Sequence, residues 1–212
     1  VWCQNPETWS NADSGGNSYA LDELLTILLK DRAFYENSGG GVTFSGGEPT
    51  LHMDYLNSLL ITLKDEHIHT CLETCGYYNH HRFNELILPH ISLIYFDLKI
   101  YDSELHKKYC KVPNETIFSN FEDLLKKQSV EVLPRIPLIP KITATKQNLT
   151  SLIKYLKSLN ISKIGLLPYN PLWISKSKSL GITSEYTQTK WLSNKEKKTI
   201  KTMFSEFSFR DF

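Results

Sequence analysis

The chain has 212 residues, 41% hydrophobic and 22% charged, which excludes intrinsic disorder as a description of the whole. Lys and Arg total 24 against 23 Asp and Glu, and a net charge of +1 gives no electrostatic reason to expect nucleic acid or an anionic membrane as partner. No apolar run approaches the ~20 residues of a membrane helix, and four cysteines are too few for a disulfide-held scaffold of this length.

The opening Val1-Trp2-Cys3-Gln4-Asn5-Pro6 has neither the basic nor the apolar region of a secretory signal, so a cytoplasmic location is expected. It also lacks an initiator Met, so the numbering is expected to begin inside a longer chain. A polar loop over 10–17 leads to an amphipathic run over 19–35, with Leu21, Leu24, Leu25, Leu28 and Leu29 at helical spacing. Gly39-Gly40-Gly41 stops it, and 42–44 reads as a short buried strand followed by the turn Ser45-Gly46-Gly47-Glu48-Pro49. The pattern then predicts a helix over 53–65, a strand over 68–74 broken by Gly76, a short helix over 82–88 and an apolar strand over 91–99. Helical pieces follow over 103–109 and 117–127. Residues 130–139 read as a strand, which Pro134, Pro137 and Pro140 demote to an edge or an irregular one. A helix over 149–159, a strand over 163–168 and a terminal helix over 194–207 complete the chain.

Five strands alternating with helices of 10 to 15 residues predict one α/β domain over 1–212 around a parallel sheet, open and doubly wound or a partial barrel. Ligands of such sheets bind at the carboxyl ends of the strands. The groups predicted there are Gly46, Gly47 and Glu48, then Glu73, then Asp97 and Lys99, then Arg135 after Val132-Leu133, and Asn170 after Pro168-Tyr169. Asp97 and Lys99, two apart, share one strand face. At a strand tip they would be an exposed ion pair; in a lumen their desolvation points to a ligand. Cys71 and Cys75 read more simply as a core and a loop cysteine than as metal ligands, Cys110 as incidental, and the lysines over 190–201 as a solvated helix face.

Together these motifs resemble a known family. Trp2-Cys3-Gln4-Asn5-Pro6 is similar to the end of the C-x3-C-x-aromatic-C segment of radical S-adenosylmethionine (SAM) proteins. More narrowly, the chain resembles the glycyl-radical-enzyme activating enzymes. The resemblance continues through Gly39-Gly40-Gly41-Val42-Thr43-Phe44-Ser45-Gly46-Gly47-Glu48-Pro49, Thr70-Cys71-Leu72-Glu73-Thr74, Phe96-Asp97-Leu98-Lys99 and Leu166-Leu167-Pro168-Tyr169-Asn170. It implies a partial (β/α)6 barrel whose first strand precedes residue 1.

The same resemblance implies a [4Fe–4S] cluster on three cysteines, of which Cys3 would be the third, the other two lying upstream of Val1. It implies that Trp2 and Gln4 flank bound SAM and that Gly46 and Gly47 open the backbone to the methionine amino group. Glu48 would brace that turn. Glu73, Asp97, Leu98, Lys99, Arg135 and Asn170 would line the SAM cavity, with Asp97 and Lys99 nearest the chemistry. Asn170 stands where relatives have a histidine, and Lys141 where they often have a glycine.

The implied reaction is reductive cleavage of SAM to methionine and a 5′-deoxyadenosyl radical, which takes hydrogen from a glycine Cα of a partner glycyl radical enzyme. Flavodoxin or ferredoxin would supply the electron to a monomeric activase. Two other readings stand beside it. The Gly39 to Thr43 run and the Asp97-Leu98-Lys99 block weigh against a radical SAM enzyme with a small-molecule substrate. A cluster-free α/β binding module would follow if the mature chain begins at Val1, and iron and sulfide analysis separates it from the others.

Overall fold

A computed structural model describes residues 17–210 of the chain. Six parallel strands follow one another in the order of the chain: β1 (Gly41–Phe44), β2 (His69–Thr74), β3 (Leu93–Asp97), β4 (Glu131–Leu138), β5 (Lys163–Pro168) and β6 (Ser208–Arg210). The helices between them are α1 (Leu21–Leu28) and α2 (Arg32–Ser38) before β1, α3 (Met53–Asp65), α4 (His80–Leu86), α5 (Ser103–Cys110), α6 (Glu115–Lys127), α7 (Lys146–Ser158), α8 (Trp173–Ser179) and α9 (Asn194–Met203). No helix among the described residues is long and apolar enough to cross a membrane.

The chain falls into two compact units. In the first, residues 17–97 and 115–133, β1 pairs with β2 from Gly41 opposite His69 to Phe44 opposite Leu72, and β2 pairs with β3 from Cys71 opposite Leu93 to Thr74 opposite Phe96. Val42, Leu63 and Ile68 form a core patch on which Leu25, Leu28, Leu29, Tyr35 and Phe44 pack. The predicted first helix is therefore real as a hydrophobic face but not as one rod: a 3₁₀ turn, Leu29–Asp31, separates α1 from α2, and Leu25 and Leu28 before the break, Leu29 in it and Tyr35 after it keep their hold on that patch. Deeper in the unit, Phe96 packs on Phe121 with ring centroids 5.0 Å apart, and Tyr78 stacks on Phe83 at 4.0 Å.

In the second unit, β4 pairs with β5 from Arg135 opposite Gly165 to Leu138 opposite Pro168, and β5 pairs with β6. Pro134 and Pro137 lie inside β4, which stands between β3 and β5 in the strand order, not at an edge. One prolyl carbonyl has found another partner: the hydroxyl of Thr143 donates to Pro137 O, and the same hydroxyl accepts from Ile139 N at 2.7 Å. A local side-chain clip thus stands in for part of the ladder that proline interrupts.

Two elements go beyond the sequence pattern. Helix α8 is seven residues of poor helix formers, fastened by burial of Trp173 and Ser177 one turn apart. The predicted terminal helix stops at Met203, and the chain then forms β6, whose Ser208 N donates to Ser162 O at 2.7 Å. Ile200, Phe204 and Phe207 continue the helical spacing there, and only the pairing with β5 reveals a strand.

Candidate functional site

In the first unit the carboxyl ends of β1 and β2 are tied by one carboxylate. Glu48 Oε1 accepts from Thr50 N at 3.3 Å, Thr50 Oγ1 at 2.7 Å and Thr74 Oγ1 at 2.8 Å, and Oε2 accepts from Cys75 N at 2.7 Å. The bonds to Thr50 cap the 3₁₀ turn Pro49–His52; those to Thr74 and Cys75 hold the loop after β1 against the end of β2. Ser45 Oγ donates to Glu73 Oε2 at 3.1 Å, a second tie between the same loops. The structure thereby gathers Gly46, Gly47, Glu48 and Glu73 at one end of the β1–β2 pair. Gly46 has φ +125°, a conformation a side chain would strain, and among the described residues a Cβ added at Gly46 or Gly47 would meet no atom within 4 Å beyond its chain neighbours. The backbone of this turn is open to a ligand, while its flanks are fixed.

The turn after β2 is also fixed. Gly76 N donates to Thr74 Oγ1 at 3.0 Å, and Asn120 of α6 donates through Nδ2 to Gly76 O at 2.9 Å and Tyr78 O at 3.1 Å. The Tyr78 hydroxyl is buried with no hydrogen-bond partner. Burial first, then the charges of Glu48, Asp123 and Cys75, push its ionisation well above the usual tyrosine range, so it stays neutral. Gly76 has φ +78°, and an added Cβ would lie 2.1 Å from Cζ of the fully buried Phe96. Replacing Gly76 by alanine is expected to cost about 2–3 kcal/mol. The midpoint of thermal unfolding by circular dichroism should fall by roughly 4–10 °C, and an unchanged midpoint would show that Phe96 yields.

Asp97 ends β3 half-buried. The strand predicted over 91–99 stops there, yet the alternation of burial runs on through Leu98, Lys99 and Ile100. In the second unit, Leu98 N donates to Arg135 O at 2.8 Å. Asn148, at the start of α7, accepts from Tyr101 N at 2.8 Å and donates to Lys99 O at 3.0 Å and Thr143 O at 2.8 Å. Asn114 donates to Ile100 O and Tyr101 O, both at 2.9 Å. The segment carrying Leu98 and Lys99 is therefore clamped at four consecutive residues.

One predicted position differs. Arg135 is the fifth of the eight residues of β4, three short of the strand end at which the sequence reading placed it. Gly165 opposite leaves room for its stem, since an added Cβ there would stand 3.0 Å from Arg135 Cγ. Asn170 does lie just past β5, where its Oδ1 accepts from Leu172 N at 3.0 Å and turns the chain into α8.

Trp2, Cys3 and Gln4 lie outside the described residues. Cys71 is buried in β2 and Cys75 half-buried beyond it. Burial pushes the Cys110 thiol up, against an opposing pull from Lys99. Among the described residues no group of three or more His, Cys, Asp or Glu is placed to hold a metal ion. The sequence reading had missed Asn114, Asn120 and Asn148. Their signal was present: Asn120 sits on the apolar stripe Ile117, Phe121, Leu124, and Asn148 on Leu149, Leu152, Leu156, where an amide is buried only if it has partners.

Comparison with known proteins agrees with this arrangement. The Radical SAM superfamily model matches residues 1–153. The pyruvate formate-lyase-activating enzyme of Clostridium pasteurianum is 32% identical over 207 residues, covering 97% of this chain and 84% of its own. That of Staphylococcus aureus strain USA300 is 36% identical over 191 residues, covering 87% and 75%. Among solved structures, a domain of pyruvate-formate lyase-activating enzyme from Bacteroides vulgatus ATCC 8482 is 26% identical with a TM-score of 0.64, over 81% of this chain and 99% of that one. Parallel strands in chain order with alternating helices make this an α/β fold of the partial-barrel type those neighbours have. On the superfamily match and the relatives that share nearly its whole length, the chain belongs to the radical SAM superfamily of oxidoreductases.

Proposed function

We propose that the chain is a glycyl-radical-enzyme activase, acting on a partner protein with an electron from a flavodoxin or ferredoxin. The names of its relatives support the reaction class. The observation that carries it onto these residues is the turn at Gly46 and Gly47, open on its ligand side and held rigid by Glu48. A [4Fe–4S] cluster held by Cys3 and two further cysteines would supply the single electron that cleaves SAM, the chemistry by which a hydrogen atom would be taken from a glycine Cα of the partner. Cys3 is the cluster ligand in this reading, flanked by Trp2 and Gln4.

The chain's own residues bind and orient. The Gly46 and Gly47 backbone receives the amino acid end of SAM, and Glu48 keeps that backbone from moving. Glu73, held by Ser45, offers its carboxylate beside it. Asp97, Leu98, Lys99, Arg135 and Asn170 complete the binding set, with Asp97 and Lys99 closest to the target glycine. Placement and water exclusion are what such a frame contributes to a reaction whose bond cleavage belongs to the bound groups.

Two measurements test this. The full-length gene product, prepared without oxygen, reduced with dithionite and given SAM, should yield 5′-deoxyadenosine, and a glycyl radical enzyme added to it should acquire the doublet of a glycyl radical in its electron paramagnetic resonance spectrum. Absence of 5′-deoxyadenosine overturns the assignment; deoxyadenosine without the doublet moves it to a small-molecule substrate. Separately, Gly47→Ala adds a methyl group where the protein itself has nothing. It should leave the unfolding midpoint where it was and weaken SAM binding by about tenfold or more, because the methyl occupies the ligand's space. Unchanged SAM affinity would remove Gly47 from the binding set.

A further inference from the structure

The net charge of +1 conceals a segregation. Residues 17–97 and 115–133, the first unit, carry 6 Lys and Arg against 15 Asp and Glu. Residues 98–114 and 134–212, within the second, carry 18 against 6. The whole-chain totals cancel, and most of the excess lies in the contiguous stretch 134–212, with 14 Lys and Arg against 4 Asp and Glu. Sixteen of those 18 cations are lysines.

Within the second unit a groove of about 630 Å³ lies between α7, α9 and the turn at Pro140. Its floor is aliphatic, from Leu149, Leu192 and Ile200, and Lys141, Lys146 and Lys195 line it as well. One acid lines it, Glu196, whose carboxylate accepts from Ser193 N at 2.8 Å and Ser193 Oγ at 2.6 Å and is engaged in capping its own helix. The far wall is pinned: Tyr186 OH donates to Pro140 O at 2.9 Å, and Tyr169 OH donates to Gln188 O at 2.7 Å while accepting from Trp173 Nε1 at 2.8 Å.

We infer that this groove is a docking site for an acidic amphipathic segment of a partner protein. Apolar side chains of the segment would fill the aliphatic floor, and its carboxylates would face the three lysines. The chemistry favours protein over nucleic acid. Lysine is a hydrated point charge without the planar fork that grips phosphate in two places, and an aliphatic floor offers no aromatic platform on which bases could stack. Lysine excess of this kind speeds encounter with an acidic surface more than it tightens the final complex, so the docking is fast and salt-sensitive. The inference is independent of the activase assignment, since it uses no residue of the candidate site.

A labelled amphipathic peptide of leucine and glutamate, followed by fluorescence anisotropy on the intact protein, tests it. The peptide should bind at low salt and be released at high salt. The triple reversal K141E/K146E/K195E should weaken it by about tenfold or more. Equal reversals away from the groove, K107E/K108E/K178E, should weaken it by less than about twofold. Three results overturn the proposal: no binding of the peptide, equal losses from the two triple variants, or displacement of the peptide by an oligothymidylate or by phosphatidylglycerol vesicles at lower concentration than by unlabelled peptide. Should the groove triple fail to fold, the milder K141Q/K146Q/K195Q takes its place, and an unchanged affinity in it overturns the proposal.

Discussion

Glu48→Gln is expected to destabilise the protein almost as much as Glu48→Ala, although glutamine has nearly the shape of glutamate. Each oxygen of Glu48 accepts from a backbone N–H, Oε1 from Thr50 and Oε2 from Cys75. A glutamine has one oxygen, so in either orientation its NH₂ faces a backbone N–H that cannot rotate away. The hydroxyls of Thr50 and Thr74 can turn to suit; the amides cannot. A buried donor left facing another donor loses its bond and its solvation together, so each variant should cost about 2–4 kcal/mol. For a chain of this size that lowers the unfolding midpoint by roughly 4–16 °C. SAM affinity should fall in both variants, because the loop that presents Gly46 and Gly47 is no longer tied to β2. Differential scanning fluorimetry and equilibrium dialysis report the two effects separately. If Glu48 instead contacts the ligand, affinity collapses with the midpoint unmoved, and that outcome removes the bracing role.

Strand and helix order was largely legible because it is written in local signals. Apolar runs at 42–44, 68–74, 91–97 and 163–168 are bounded by glycine, proline and asparagine, and the amphipathic stretches between them carry leucines at helical spacing. The motif residues fell at strand ends for the same reason. What escaped depends on partners distant in the chain. A three-residue β6 has no period of its own and exists because β5 offers an edge. Arg135 was placed at a strand end by analogy with the other strands, although the strand read over 130–139 and β4, Glu131–Leu138, both keep it inside. The charge segregation escaped because the whole-chain totals of 24 and 23 cancel, although 134–212 alone carries 14 Lys and Arg against 4 Asp and Glu.

The clamp on Lys99 leads to the last expectation. Asn148→Leu keeps the volume and the apolar contacts of α7 but strips three partners at once: Tyr101 N, Lys99 O and Thr143 O. Because Asn148 is only 7% exposed, water cannot replace them freely, and the loss should reach about 3–4 kcal/mol. Asn148→Asp should be no milder. It keeps an acceptor for Tyr101 N, but its second oxygen meets two carbonyl oxygens in place of an NH₂ that donated to both. The specific readout is hydrogen exchange. The Tyr101 amide, protected in the parent by the Asn148 bond, should exchange faster in Asn148→Leu even under conditions where the global core remains closed. Asn148→Asp should retain part of that protection. In the activase reading, deoxyadenosine formation should fall in both variants, since the backbone carrying Lys99 is free to shift and small displacements of positioning groups cost large factors in rate. If Tyr101 stays protected in Asn148→Leu, the segment is held without Asn148, the bonds of Asn114 to Ile100 O and Tyr101 O and that of Leu98 N to Arg135 O remaining, and Asn148 is only packing.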